Sequence, residues 1–496
     1  MIFRLLAGAT AGLMLFANST AAPTNRSDVP TWWNKYQYIT THGPADTCTG
    51  EPGFKVGPNV DVSNECGPQS ETYITINPAA PKILAAGSNE IFRLPMRGYF
   101  SSDGGSTWGG VDLPLPLAKG NGVNFGSDPT LAFDTLGNVF YGYIVVYVGN
   151  GNGINATAMA VARSGDGGRT YPQFTVFSLE GGSGHFNDKP MIAADTNPSS
   201  PFKDAVYVAW DAATGGSTGG GVRLARSTDH GATFTIARVD DPYGQGRAIG
   251  AVPFVGPNGE VYVAWNDYLA NTIAFNRSLD GGATWEQPRV ISRKTVPFDI
   301  AIPAEFSRGA LVYPACDTDR SAGPHHGRLY CSWMDRTALG NTDILATFSD
   351  DGGTTWTPAA PATDAAAGVD RFNHWLAVDP VTGDVNVSFY DTRNDTTGAR
   401  VMTDIYLSQS RTGGASWLLN VRVTDVSSNE HDCAGVFPCA GIDYGNQQGD
   451  YAGLASFGGV SYPIWTDSRR QLAPLPGCRT GLAMEEVFSA AVTRKQ

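Results

Sequence analysis

Apolar and polar residues alternate along most of this chain in short runs, and the runs recur in sets. PTLAFD is followed by NVFYGYIV and then AMAVARS; KPMIAAD by AVYVAWD and VRLARS; GAVPFVG by EVYVAWND and IAFNRS. HWLAVDP, VNVSFYD and IYLSQS repeat the order, as do the partial sets TYITINP, RLYCSWMD with ILATFS, and GLASFGG with SYPIWTD. Period-two alternation rich in Val, Ile, Tyr, Phe and Trp predicts β-strands throughout.

The third run of each set leads into one phrase. It reads SSDGGSTW from Ser101, SGDGGRTY from Ser164, STDHGATF from Ser227, SLDGGATW from Ser278 and SDDGGTTW from Ser349, with a degenerate SRTGGASW from Ser410. The aspartates are Asp103, Asp166, Asp229, Asp280 and Asp351, and Thr412 takes the sixth place, at intervals of 51 to 71 residues. Four antiparallel strands per repeat describe a propeller blade, so the fold class is all-β, a β-propeller. Counting sets predicts seven blades rather than six. The last set lacks an outer strand, and FKVGPNVDV (Phe54–Val62) has no other partner, so it is expected to close the ring. The repeated phrase is expected to be structural. Gly allows its turn, Asp accepts hydrogen bonds within the hairpin, and six copies around a ring cannot meet on one substrate.

Composition narrows the class. Gly (60) and Pro (31) suit many tight turns. A net charge of −13 without a basic run argues against nucleic acid and anionic membranes as partners. MIFRLLAGATAGLMLFANSTAA reads as a secretory signal peptide over residues 1–22, followed by an extension over 23–53 and the propeller over 54–496. The chain is thus expected to be exported, extracellular or periplasmic, and monomeric. Seven dispersed cysteines fit an oxidising compartment, with Cys316–Cys331, Cys433–Cys439 and Cys48–Cys66 as candidate pairs. No cofactor is expected; the acidic loops could hold calcium, but none has a recognised ligand spacing.

If the first strand of each blade starts on the top face, the repeated turns lie on the bottom. Loops entering the first strand and leaving the second then surround the top of the central channel. The entering set comprises Glu71, Asp128, Asp188, Lys189, Arg247, Asp299, Arg371, Asn373, His374, Asp450 and Tyr451. The leaving set includes Asn89, Arg93, Asp211, Asp267, Asp335, Asp391, Arg393, Asp467 and Arg469. From these, Asp128, Asp188, His374 and Tyr451 are the candidate catalytic residues. Arg93, Lys189, Arg247, Arg371, Arg393, Asp450 and Arg469 are the candidate substrate-binding residues, arginine being the side chain that clamps a sugar carboxylate through two hydrogen bonds.

The phrase resembles the Asp box, Ser-x-Asp-x-Gly-x-Thr-Trp, of sialidases and related bacterial-neuraminidase-repeat proteins. That resemblance implies a propeller and a carbohydrate ligand. Phe92-Arg93-Leu94-Pro95 is similar to the family's Phe-Arg-Ile-Pro motif, but it follows a second-strand run instead of preceding a first. A seventh blade is a further departure, because catalytic sialidase domains have six. The resemblance therefore carries over the fold and glycan handling, not sialidase catalysis. Three functions follow as expectations: a sialidase-like glycoside hydrolase on an acidic glycan, a lyase for uronate-containing polysaccharide using His374 or Tyr451 with Arg371, and a non-catalytic binding propeller.

Overall fold

In the computed structural model the described residues are 53–495, apart from 64–67, 92, 119–121, 150–153, 182–186, 213–219, 242–247, 307–308, 365–367, 431–447 and 470–484. The expected signal peptide, Arg247, and Cys48, Cys66, Cys433, Cys439 and Cys478 lie outside them.

Seven antiparallel four-stranded blades form the ring. Their innermost strands are Gln69–Ile76, Val123–Phe133, Asp188–Ala194, Ala248–Val255, Pro314–Thr318, Arg371–Val378 and Leu454–Phe457. Each touches the next, and the last touches the first. The second strands, such as VYVAWDA (Val206–Ala212) and VNVSFYD (Val385–Asp391), are buried along their whole length because blades cover both faces.

The ring closes as the unpaired edge of the last repeat requires. Phe54–Val56 pairs with Val492–Arg494, and Val60–Asp61 pairs with Glu486–Ser489, giving the seventh blade its outer strand. The fifth blade differs from expectation. Its inner strand is Pro314–Thr318, whereas Asp299, expected to enter it, sits in a separate hairpin of Asp299–Ile300 with Ala310–Leu311. That inner strand carries the Cys316–Cys331 disulfide to its neighbour.

The repeated turn works as a hairpin lock. Asp280 accepts from Ser278 Oγ (2.7 Å), Thr284 N (2.8 Å) and Thr284 Oγ1 (2.6 Å), while Ser278 Oγ accepts from Gly282 N (2.8 Å). Asp103, Asp166, Asp229 and Asp351 make the same set. Gly282 has φ +87°, and a Cβ there would lie 3.3 Å from the Tyr207 ring of the preceding blade, so the turn needs glycine twice over. Asp280→Ala should cost about 1–2 kcal/mol, the scale of losing one multiply bonded cap, and leave ligand contacts unchanged. Denaturant midpoints alongside glycan binding test this; lost binding at an unchanged midpoint would overturn it.

Candidate active site at the top of the channel

The inner strands of five blades break register at one equivalent place. The bulges fall between Ser70 and Tyr73, Ser127 and Thr130, Asp188 and Met191, Ile249 and Val252, and Phe372 and Trp375. In each, the first extra residue is left-handed: Glu71 (φ 53°), Asp128 (59°), Lys189 (52°), Gly250 (69°) and Asn373 (43°). A side chain rarely tolerates that backbone, and bulges of this kind re-aim side chains. Here they create a ring of polar groups at the top of the channel, on the face opposite the repeated turns.

Three of these side chains meet. The Lys189 ammonium contacts Glu71 Oε1 at 3.1 Å, Asp128 Oδ2 at 3.7 Å, and Asp450 of the seventh blade. It lies over the rings of Tyr451 (5.2 Å) and Tyr313 (5.7 Å). Tyr313 donates to Asp450 at 3.1 Å. Asn89 donates to Glu71 at 2.6 Å and accepts from Asp128 N at 2.7 Å. Gly250 has no side chain for a spatial reason: a Cβ would fall 2.2 Å from the Tyr313 ring. Beneath lies an aromatic layer, with Tyr73 against Trp375 (5.2 Å) and Trp375 against Tyr451 (6.3 Å). Below that the channel opens as a cavity of about 200 Å³ lined by inner strands.

Asp128 and Asp188 share a hydrogen bond and divide their protonation. Burial works to raise Asp128, but the Lys189 ammonium and the Ser127 hydroxyl outweigh it and hold the carboxyl at about 2. Burial and then the Asp128 charge push Asp188 up to about 7. Asp211, opposite Asp188 on the second strand, is raised well above the usual range by burial and by Asp188, though it accepts from Gly250 N at 2.6 Å. Environments that separate two carboxyl pKa values assign acid and base roles.

The other candidates do not converge here. His374 is buried and held neutral, its pKa lowered to about 4 by burial, and it bonds to the Ser332 backbone of the preceding blade. Thr72, next to Glu71 in the first bulge, bonds Ile464 O of its own preceding blade in the same way (3.0 Å). His374 is therefore a clamp between blades. Tyr451 donates to Pro129 O at 3.0 Å, and burial pushes its phenol well up, so it is a wall of the site and no ready nucleophile.

The arginines are each engaged elsewhere. Arg371, 0% exposed, bonds Asp391 (2.9 Å) in its own blade and Asp343 (2.8 Å) in the preceding one. Arg393 bonds Asp391 (2.7 Å) and Asp364 (2.8 Å) and stacks on Tyr406. Arg469 pairs with Asp467 (2.7 Å) and Asp425 over the Phe488 ring. Arg93 bonds Asp112 at 2.6 Å. The expected arginine clamp for a sugar carboxylate is thus not assembled by these four. Arg393 and Arg469 each sit two residues after a strand-end aspartate, which takes the charge, whereas Arg371 and Arg93 find their aspartates on neighbouring strands.

Tyr313 was not among the residues expected here, and Glu71 and Asn89 were grouped only with the loops. Aligning Ser-Glu-Thr-Tyr (Ser70–Tyr73) with Ser-Asp-Pro-Thr (Ser127–Thr130) and Asp-Lys-Pro-Met (Asp188–Met191) finds Glu71. Nothing local marks Tyr313, whose strand has no bulge. Among the described residues no group of three or more His, Cys, Asp or Glu is placed to hold a metal, and no helix is long and apolar enough to cross a membrane.

No protein-family model matches the chain, and no curated protein does. Among solved structures it is similar to the NanB sialidase from Streptococcus pneumoniae, at 11% identity and a TM-score of 0.45 over 71% of this chain and 69% of that one. It is also similar to the α-L-arabinofuranosidase from Fusarium graminearum, at 13% identity and 0.44 over 72% and 98%. A third is the intramolecular trans-sialidase from Ruminococcus gnavus, at 14% and 0.41 over 91% and 96%. These likenesses concern the course of the chain, and no residue role is taken from them.

Proposed function

We propose that the protein is an exported, carbohydrate-active propeller that hydrolyses glycosidic bonds at the top of its channel. One observation carries this reading: a hydrogen-bonded carboxyl pair in which Asp188 keeps its proton to about 7 while Asp128 is ionised down to about 2. Glycoside hydrolysis needs a carboxylic acid to protonate the leaving oxygen and a carboxylate to stabilise an oxocarbenium-like charge. Asp188 takes the first role, and water supplies the hydroxyl that replaces the leaving group. Asp128, bonded directly to Asp188, lies nearer to it than the about 5 Å or more between carboxyls that flank a scissile bond, and it sets the proton affinity of that acid. The engaged arginines argue against a sialic acid or uronate as the preferred substrate. The lyase reading loses both candidate bases and its clamp, since His374 and Arg371 are buried between blades and the Tyr451 hydroxyl, raised by burial, donates to Pro129 O. Export is proposed from the signal peptide read in residues 1–22.

The test is a screen of the folded, purified chain on neutral, amine-bearing, sialylated and uronate-containing oligosaccharides. Release of reducing ends from a neutral or amine-bearing glycan is expected. Ultraviolet absorbance from unsaturated uronates would replace hydrolysis by elimination. No turnover of any glycan would leave the binding function in its place.

A further inference from the structure

The same site contains a cage for an ammonium group, at present filled by the protein itself. Its walls are Glu71, Asp128 and Asp450, with the rings of Tyr313 and Tyr451 closing two sides. Carboxylates with aromatic faces are the arrangement that recognises an amine. The walls are held by neighbours that do not touch the lysine: Asn89 donates to Glu71, and Pro129 O accepts from Tyr451. One buried acceptor on the same ring of bulges has no hydrogen-bond partner: Asn373 Oδ1, at 4% residue exposure. Asn373 occupies the same bulge position as Glu71, Asp128 and Lys189, and it donates to Gly449 O, next to Asp450. An acceptor left unsatisfied at a site already rich in carboxylate calls for a ligand that brings N–H donors.

The geometry points to an amino sugar as the ligand, a glucosamine-type unit whose ammonium takes the place of Lys189 among Glu71, Asp128 and Asp450. This rests on the reading of the site as a glycan site and names its substrate class. Lys189 is then an internal competitor. It reaches the cage from a left-handed bulge (φ 52°), so its ammonium is tethered where the ligand's must go. An occupied site lowers apparent affinity by the fraction of time it is open. The sugar amine would also inherit the lysine's electrostatic task of keeping Asp128 ionised.

The experiment is calorimetric titration at mildly acidic pH of wild type and Lys189→Met with glucosamine tetrasaccharide and with its fully N-acetylated counterpart. Wild type should bind the amine form at least tenfold more tightly than the N-acetylated form. Lys189→Met should gain a further tenfold or more for the amine form alone, because the competitor is gone. A lysine that only plugs the channel predicts no preference in wild type and no gain in the variant, and either result overturns the inference. Should Lys189→Met fail to fold, the wild-type preference decides by itself. Asp188-dependent hydrolysis of a neutral glycan without amine preference would sink the amino-sugar inference and leave the hydrolase reading standing. Absence of turnover on every glycan would remove that reading whatever the binding shows.

Discussion

Arg371→Ala is expected to destabilise the fold by about 3–5 kcal/mol, the cost of removing one partner from a buried ion pair. Arg371 is 0% exposed and joins Asp391 of the sixth blade to Asp343 of the fifth, with a further bond to Asp364 O at 2.9 Å. Removing it takes the guanidinium from two buried carboxylates at a blade seam, leaving Arg393 on Asp391 and neutral donors, Thr363 Oγ1 and Ile344 N, on Asp343. The sign of the pH dependence is set. Burial opposes ionisation of Asp391, but Arg393 and Arg371 hold its pKa below the usual carboxylate range. Stability from such a group is present above its unfolded pKa and lost as pH falls through the folded one. The gap between wild type and variant should therefore be widest at neutral pH and narrow on acidification, as Asp391 takes up a proton. Denaturant midpoints across pH measure it. An unchanged midpoint with lost glycan binding would return Arg371 to the ligand site.

The contrast between Arg371 and Lys189 explains what the sequence could disclose. Both enter an inner strand on the top face, and both are candidate substrate-binding residues in the sequence. Blade count, ring closure and the lock formed by Asp280 depend on repetition, and repetition is visible in letters. The direction of one side chain depends on a bulge. Arg371 lies two residues before its bulge residue, Asn373, and turns into the seam; Lys189 is the bulge residue and turns to the axis. That single offset separates a structural ion pair from a site residue. The two Asp-Arg clusters, Asp391 with Arg393 and Asp467 with Arg469, follow the same logic: their local spacing lets each aspartate satisfy its own arginine. Tyr313 was invisible because the hairpin before it displaced the expected start of its strand.

Asp188→Asn should lower kcat/KM by about 10²–10⁴-fold, the range for loss of a general acid. The wild-type rate should be level from acid to neutral pH and fall as pH rises through about 7, where Asp188 gives up its proton. Asp128, ionised down to about 2, sets no limit in that range. Wild-type stability should fall over the same range. A carboxyl whose folded pKa is raised binds its proton more tightly in the fold, so its contribution is complete below the unfolded value and is lost as pH rises towards 7. Asparagine cannot ionise, so Asp188→Asn should hold its stability at pH values where wild type has begun to lose it. The two readouts together exclude a merely structural carboxyl, which would lose stability and activity in step. Retained turnover in the variant would instead place the proton donor elsewhere on the ring. An acid kept beside Asp128 at the expense of stability is the signature of a site retained for chemistry, and the experiment reads it as activity lost but stability held in Asp188→Asn.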